Sequence, residues 1–324
     1  MLKITVVVPT YQRPIDLARC LAALQQQYRP ANQVIVIVRD TDTATWDFLR
    51  DFQPAELSLQ TATIKVPGVI AAMNLGLEQA QGEVIAFTDD DAAPRPDWLE
   101  RIERHYLNND RVGGVGGRDW VREDGKLLDE AKSIVGKVQW FGRTIGNHHL
   151  GVGAAREVDI LKGVNMSWRR QAIAHLRFDE RLQGSGAQAH FEIAFSLAVR
   201  RAGWSIIYDP LVAVDHYPAE RPQTDPRLHQ NWRSQFNATA MTQTVHNETL
   251  GLLEHLPWLN RIIFMVWAVA IGTRIAPGLL QYLRLLPREG ALASDKWRAS
   301  LQGRWQGWQT WQQTRFAEFG KDSP

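Results

Sequence analysis

Residues 84–91 read Val-Ile-Ala-Phe-Thr-Asp-Asp-Asp, and two prolines follow within the next five positions. A short apolar run that ends in a turn signal is typical of a buried strand, so a strand is predicted over residues 84–87. The three carboxylates at 89–91 would then lie at the carboxyl edge of a sheet, where open α/β sheets bind ligands. Clustered negative charge at that edge favours a bound cation, whereas the triplet taken alone fits an acidic solvated loop about as well.

The first half of the chain alternates short β-branched runs with helical patterns. Besides residues 84–87, strands are predicted at 4–8, 34–38 and 64–66. Helices are predicted from apolar residues at helical spacing, through Leu17, Leu21 and Leu24, through Met73, Leu77 and Ala80, and through Leu99, Ile102 and Tyr106. This alternation indicates an α/β fold with a mostly parallel sheet and helices on both faces.

Composition sets wider bounds. The chain has 324 residues, of which 44% are hydrophobic and 22% charged, as is usual for a globular protein. Its formal net charge of +2 gives no argument for a nucleic acid partner. A single cysteine, Cys20, excludes an internal disulfide and a cysteine-based zinc cluster. Residues 1–9 form a strand pattern, so no signal peptide is expected.

Two nucleotide-binding classes are disfavoured by their missing glycine motifs. The turn after the first strand, residues 9–13, reads Pro-Thr-Tyr-Gln-Arg, and a nicotinamide-dependent dehydrogenase needs G-x-G-x-x-G there. The cluster Gly-Gly-Val-Gly-Gly at 113–117 comes too late for that motif, and a flexible turn or strand bend is expected there. No G-x-x-x-x-G-K-[ST] sequence is present, which excludes P-loop NTPases.

Four segments carry a family resemblance. They are Val-Val-Val-Pro-Thr-Tyr-Gln-Arg at 6–13, Met-Asn-Leu-Gly with the strand and aspartates at 73–91, Gly-Val-Asn-Met-Ser-Trp-Arg-Arg at 163–170, and Arg-Arg-Ala-Gly-Trp through Asp-His at 200–216. In this order they resemble glycosyltransferase family 2 enzymes of the GT-A fold, over roughly residues 3–220. The resemblance implies a GT-A type, Rossmann-like mixed sheet and transfer of a sugar from a nucleoside diphosphate sugar.

The resemblance also implies a divalent cation, Mn2+ or Mg2+, held against the donor diphosphate by an Asp-x-Asp pair. Asp91 is therefore assigned to the metal, Asp89 to the metal or the ribose, and His216 to the metal. The donor-binding residues that it implies, with a UDP-sugar favoured, are Thr10, Tyr11, Arg13, Asp40, Asn74, Asp89 and Asp90. Asp42 is the rival of Asp40, and turn chemistry or helix capping explains either residue equally well. Family members often have an arginine where this chain has Met73.

An acceptor hydroxyl needs a general base within hydrogen-bond reach. The family's base is an aspartate ahead of the Arg-Arg-Ala-Gly block, and Glu192 occupies that position here, with His190 as the reserve candidate. Glu192 is predicted in the first turn of a helix, where the helix dipole favours an ionised carboxylate, although helix capping is the competing role.

Asn165 and Trp168 are predicted to contact the acceptor sugar, the indole by stacking. The loop at 146–151, Gly-Asn-His-His-Leu-Gly, is expected to be an exposed loop, with a substrate lid or a metal site as alternatives.

The composition changes beyond Pro222. From residue 255 onward the chain carries nine Lys or Arg against four Asp or Glu, and an uninterrupted apolar run covers residues 262–271. A transmembrane helix needs roughly 20 apolar residues, so this run favours attachment to a membrane surface over spanning, with a helical pack or an oligomer interface as the alternative. Tryptophans at 258, 267, 297, 305, 308 and 311 extend that pattern.

These features predict a metal-dependent glycosyltransferase at the cytoplasmic face of a membrane, acting on a polysaccharide, lipid-linked or other glycan acceptor. That the transfer is inverting is implied by the family resemblance alone. Residues 1–125 are expected to bind the donor, 126–222 to bind the acceptor, and 223–324 to form a helical, membrane-associated region. A nucleotidyltransferase is disfavoured because residues 9–14 lack its glycine-rich basic loop. A non-catalytic binding or scaffold protein at a membrane is the alternative, since the usual base aspartate is missing.

Overall fold

The structure is a computed structural model that describes residues 1–123, 126–184, 186–218 and 236–319. Its strands are β1 (Ile4–Thr10), β2 (Gln33–Arg39), β3 (Leu59–Ile64), β4 (Val84–Thr88), β5 (Ala92–Pro94), β6 (Val112–Glu123), β7 (Lys126–Leu127), β8 (Lys137–Val138), β9 (Thr144–Ile145), β10 (Arg156–Glu157), β11 (Asn165–Arg169) and β12 (Ser205–His216). Its helices are α1 (Pro14–Gln25), α2 (Thr43–Asp51), α3 (Val69–Gln79), α4 (Trp98–Asn108), α5 (Arg170–Ile173), α6 (Phe191–Arg201), α7 (Ala238–His255), α8 (Trp258–Ala270), α9 (Leu279–Glu289) and α10 (Ala291–Phe319), with a 3-10 helix at His148–Leu150.

One half of the main sheet is parallel. β1 lies between β4 and β2, and β3 follows β2 at the edge, all running in the same direction. The valine- and isoleucine-rich runs of β1, β2 and β4 are almost wholly buried, as expected for parallel strands covered by helices on both faces. The predicted α/β fold with a mixed, mostly parallel sheet is confirmed.

The other half of the sheet is mixed. β11 pairs antiparallel with both β4 and β6, and β12 runs parallel to β6. β5, which begins directly after the aspartate triplet, pairs antiparallel with the end of β12, so that Ala92 lies opposite His216. This pairing determines where the site forms.

Two local predictions differ from the structure. The third strand covers Leu59–Ile64, whereas residues 64–66 were predicted. Its exposed residues Gln60, Thr61 and Thr63 interrupt the apolar run on which that prediction depended. Of the two alternatives for the glycines at 113–117, the turn is wrong because they lie inside β6, whereas a strand bend is compatible with the irregular pairing to β12 between Val112 and Gly114. A Cβ on Gly114 would lie 2.6 Å from the Trp168 ring, and one on Gly117 would lie 1.9 Å from the Val212 carbonyl oxygen, so close packing requires glycine here.

The chain divides into two compact units. The first contains the main sheet and comprises Met1–Lys137, Thr144–Phe178 and Phe195–Glu220; the second comprises Val138–Arg143, Asp179–Ala194 and Arg221–Pro324. The predicted domain boundaries after residues 125 and 222 fall at gaps in the described chain, outside the described residues.

In the second unit, α7 packs closely against α10 through small residues. A Cβ on Gly303 would lie 2.5 Å from the Thr242 carbonyl oxygen, and one on Gly307 would lie 2.7 Å from the His246 carbonyl oxygen. The buried Arg304 of α10 pairs with Glu248 of α7 at 2.8 Å. No helix within the described ranges combines the length and apolar character needed to cross a bilayer.

Candidate functional site

The site forms at the carboxyl edge of β4, where the pairing of β5 with β12 brings distant residues together. The Tyr217 N–H donates to the Asp91 carbonyl oxygen at 2.9 Å, directly after the last residue of β12. The Nε2 atom of His216 lies 3.4 Å from Asp91 Oδ1. The structure therefore places His216 beside Asp91, and its assignment to a metal stays a prediction.

Asp89, Asp91 and His216 each offer a ligand atom, and these atoms lie within 4.8 Å of one another. Two carboxylate oxygens and one imidazole nitrogen form a donor set that suits Mn2+ and, less closely, Mg2+. Burial, and after it repulsion by the charge of Asp91, raise the pKa of Asp89 to about 6, so the ionised carboxylate is less stable here than in water. A divalent cation would relieve that repulsion, and the residues present fit one.

A fourth carboxylate, Asp119 of β6, also belongs to this cluster. It is fully buried, its Oδ2 lies 3.5 Å from His216 Nδ1, and Lys162 forms an ion pair with it. Burial alone would raise the pKa of Asp119, but the charge of Lys162 and the contact with His216 hold it well below its usual value. Sequence reasoning missed Asp119 and Lys162, because only the parallel register of β6 and β12 places Asp119 beside this end of β12.

The two carboxylates beside His216 change the pKa of its imidazole. Burial alone would lower its pKa, but the neighbouring carboxylates of Asp119 and Asp91 raise the pKa to about 9. The imidazole is thus held as a cation between two acids as long as no metal ion competes for it.

Asp90 anchors the triplet to the turn after β1. Its Oδ2 accepts a hydrogen bond from the Thr10 hydroxyl at 2.8 Å, and its Oδ1 lies 3.0 Å from Nη1 of Arg13. Burial raises the pKa of Asp90 to about 7 in spite of the opposing charge of Arg13. The same guanidinium lies 3.5 Å from Asp91 Oδ2, so Arg13 links both acids to the turn after β1.

The remaining donor-side residues divide into exposed and structural ones. Tyr11 is 40% exposed, and Asp40 is exposed at the carboxyl end of β2. Asp42 is buried, caps α2 by accepting from the Thr45 N–H, and also accepts from the Gln12 N–H, so this rival of Asp40 has a structural role. Asn74 is engaged with the backbone of Phe178, through bonds of 3.0 and 2.8 Å.

Asn165 and Trp168 lie in the core, which does not agree with the sugar contacts predicted for them. Asn165 Oδ1 accepts from the Trp98 indole N–H at 2.9 Å, and its Nδ2 donates to the Val212 carbonyl oxygen at 2.8 Å. Trp168 is fully buried between Gly114 and Phe195, with the two ring centroids 5.1 Å apart. No face of its indole is open for stacking on a sugar.

The histidine loop at 146–151 also differs from its prediction. His148 is buried, and its Nε2 lies 3.0 Å from the Ile160 carbonyl oxygen. The Tyr208 hydroxyl donates to the His148 carbonyl oxygen at 2.8 Å. These contacts make the loop a packed 3-10 turn and not an exposed loop.

The two base candidates belong to the second unit. Glu192 is half-buried in the first turn of α6, as predicted, and its side chain makes no hydrogen bond or ion pair with the described residues. His190 precedes the helix in a left-handed backbone conformation, with a φ of 70°.

Comparison with known proteins identifies the family of this chain. The sequence profile of glycosyl transferase family 2 matches residues 5–194, more than half of the chain. A curated relative, the glucosyl-dolichyl phosphate glucuronosyltransferase of Haloferax volcanii, is 27% identical over 227 residues, which are 66% of this chain and 69% of that protein.

Two solved structures share the fold. A mannosyltransferase from Pyrobaculum calidifontis in complex with GDP-Man and Mn2+ has a TM-score of 0.54 at 18% identity, covering 93% of this chain and 84% of that one. GalNAc-T7 with UDP, GalNAc and Mn2+ has a TM-score of 0.58 at 12% identity, covering 83% of this chain and 51% of that one. The family resemblance and the GT-A fold predicted from the four sequence segments are confirmed, and the chain belongs to glycosyl transferase family 2 as a glycosyltransferase.

Proposed function

We propose that this glycosyltransferase is metal-dependent and inverting, and that it transfers a sugar from a nucleoside diphosphate sugar to a hydroxyl of a glycan or lipid-linked acceptor. The observation that carries the metal dependence is the convergence of Asp89, Asp91 and His216 within 4.8 Å at the carboxyl edge of β4. The Mn2+ in both similar solved structures supports the same choice of ion.

Each residue of the site has a role in holding the donor. Asp91 and His216 would bind the cation, and Asp89 the cation or the ribose. When bound, Mn2+ or Mg2+ supplies Lewis acidity that offsets the charge gained by the departing diphosphate. Tyr11 and Asp40 remain exposed at the ends of neighbouring parallel strands, where they can contact the nucleoside. A uridine nucleotide is favoured.

Thr10 and Arg13 act through Asp90. Their bonds to its two carboxylate oxygens hold the triplet in place, so these three residues support the donor site as positioning residues. Asn74 likewise stabilises the backbone at Phe178.

Glu192 is the proposed base. It takes the proton of the acceptor hydroxyl, the oxygen forms a bond to the anomeric carbon, and the bond from that carbon to the phosphate oxygen breaks as the nucleoside diphosphate leaves. The position of Glu192 in the first turn of α6 favours its ionised form, which a base requires. His190 is the reserve candidate.

A membrane surface is the proposed location, specifically its cytoplasmic face. Exposed apolar residues of α8, Trp258, Ile262, Val266 and Val269, recur at helical spacing, and Trp258 is 70% exposed. Leu279, Leu280, Leu283 and Leu286 are exposed along α9. No Asp or Glu occurs from residue 256 to 288, whereas four arginines do, which suits anionic lipid.

Calorimetry tests the donor site. We expect UDP or GDP to bind in the presence of Mn2+, and we expect the Asp91→Ala variant to lose the metal-dependent part of that binding. Asp47→Ala is the matched control, because Asp47 is a largely exposed aspartate of α2. Failure of the wild type to bind any of UDP, GDP and dTDP with Mn2+ would overturn the proposed transfer and favour a binding or scaffold protein.

Turnover tests the base. Glu192→Gln is expected to keep nucleotide binding and to lower sugar transfer by about 100-fold or more, in the range of general-base effects. Glu100→Gln, on the exposed side of α4, is the control for loss of a carboxylate. Unchanged turnover in Glu192→Gln would remove this residue from the mechanism and direct attention to His190.

A further inference from the structure

One face of α7 contacts the segment that leads into α6. Asn247, Gly251 and Glu254 follow one another at intervals of four and three residues, and so lie on the same side of the helix. Glu254 Oε2 lies 3.4 Å from Nη2 of Arg181. A Cβ on Gly251 would lie 3.4 Å from both the backbone nitrogen and the Cβ of Ala194, in the first turn of α6.

Asn247 forms the central contact. Its Oδ1 accepts from the Gln183 N–H at 2.8 Å, and its Nδ2 donates to the Gln183 and Ala189 carbonyl oxygens, both at 2.9 Å. The same Oδ1 lies 2.9 Å from Nδ1 of His246. The fully buried amide thus donates through both of its hydrogens and accepts from the Gln183 N–H, which permits a single orientation.

The backbone that Asn247 holds is strained. Gln188 has a φ of 41° and His190 a φ of 70°, and both are non-glycine residues in the left-handed region. Ala189, which accepts from Asn247, lies between them. Such conformations persist only where surrounding contacts determine them, and they cluster at functional sites. His190 directly precedes Phe191, the first residue of α6, and Glu192 follows.

We propose that Asn247, supported by Gly251, is a positioning residue for Glu192: the two fix the entry into α6 and thereby the direction of the base. This inference rests on the proposed function. It assigns the C-terminal helices a part in sugar transfer, although α7 contributes no group to the reaction. We call the side of α7 that carries Asn247, Gly251 and Glu254 the positioning face. The opposite side of α7 packs on α10 through Thr242 and Val245, so contacts with α10 stabilise the helix that carries this face.

Hydrogen exchange of the full-length protein tests the contact without a substrate. Asn247→Ala is expected to speed exchange at least tenfold for amides in residues 186–192. The Ala189 carbonyl oxygen loses its hydrogen-bond donor, and the strained turn is no longer held by the Asn247 side chain. Thr242→Val is the matched control, since it removes a buried hydrogen bond from α7 to α10 and leaves the positioning face intact. Equal exchange in wild type and Asn247→Ala would overturn the inference.

Turnover and binding together separate positioning from general destabilisation. We expect Asn247→Ala to lower kcat by about 10- to 100-fold, as small displacements of catalytic groups do, while the affinity for the nucleotide with Mn2+ stays within about twofold. Thr242→Val should lower the melting temperature to a similar extent without this loss of kcat.

A second pair of variants does not depend on the folding of Asn247→Ala. Gly251→Ala adds a Cβ at ordinary contact distance from Ala194 and should keep kcat, whereas Gly251→Leu should displace the first turn of α6 and lower kcat. Glu192→Gln is measured alongside. If it retains full turnover, the proposed base is wrong and the inference fails with it. If it loses turnover while Asn247→Ala and Gly251→Leu do not, the inference alone is overturned.

Discussion

At the scale of single residues, His216 lies between two carboxylates. Its Nε2 lies 3.4 Å from Asp91 Oδ1 and its Nδ1 3.5 Å from Asp119 Oδ2. A histidine that binds a metal through one nitrogen usually donates its other N–H to a carboxylate, which fixes the tautomer and the direction of the ring. Asp119 is placed for that role, and Lys162 stabilises its charge in the fully buried setting.

The Asp119→Asn variant is therefore expected to weaken Mn2+ binding by about 10- to 100-fold, because the amide no longer attracts the Nδ1 proton. Calorimetry with Mn2+ alone measures this, and thermal unfolding confirms that the variant is folded. Asp209→Asn is a fitting control, since Asp209 belongs to β12, the strand of His216, and pairs with a different histidine, His105, at 2.8 Å. Wild-type affinity in a folded Asp119→Asn protein would contradict the role of Asp119.

At the scale of elements, the 3-10 helix His148–Leu150 shows how a polar motif becomes part of the core. Burial lowers the pKa of His148 to about 4, although its ring bonds to the Ile160 carbonyl oxygen. The folded pKa thus lies below the unfolded value of about 6.5. The unfolded chain binds the proton more readily between these values, so the stability contributed by a neutral His148 is present above about pH 6.5 and is lost as the pH falls towards 4.

A change from pH 7.5 to pH 5 is expected to remove about 2 kcal/mol of stability through His148. His148→Gln, which retains a donor for the Ile160 carbonyl oxygen, should show a smaller loss over the same range. Urea unfolding at both pH values measures the difference between wild type and variant, which cancels other titrating groups. His175→Gln removes an exposed histidine and should behave as wild type. Identical pH dependence in His148→Gln would show that His148 is not the group concerned.

At the scale of the whole molecule, α8 and α9 both expose apolar faces, which is unusual for a protein surface in water. The tryptophans of α10 contribute less to the exposed apolar surface than their number suggested. Trp297 stacks on Tyr282 with ring centroids 4.6 Å apart, and Arg261 lies over the Trp311 ring. Trp305 is 57% exposed. The proposed membrane contact therefore depends chiefly on α8 and α9.

Replacing Ile262 and Val266 together by serine should weaken binding to vesicles of phosphatidylglycerol and phosphatidylcholine at least tenfold, because each buried aliphatic side chain contributes about 1.5 to 3 kcal/mol. Co-sedimentation of the purified protein measures this. Leu211→Ser, in the first unit, is the control, since Leu211 is 59% exposed. Unchanged sedimentation of the double variant, or none of the wild type, would contradict a membrane role for this face.

Several features followed from the sequence by itself. The parallel strands were recognisable because runs such as residues 34–38 are apolar throughout, and the helices because their leucines recur every three to four residues. The aspartates at 89–91 were recognisable because a charged triplet directly after a buried strand must lie at the sheet's edge. These signals are local, and local patterns determine local structure.

Only the tertiary structure decided which polar residues meet. Asp91, Asp119 and His216 are brought together by strand pairing across more than ninety positions, which no local pattern encodes. The same sheet buries Trp168, although its sequence context resembled a sugar-binding segment. Hydrophobic periodicity specifies which face of an element is buried, whereas the neighbour that meets that face depends on register and topology.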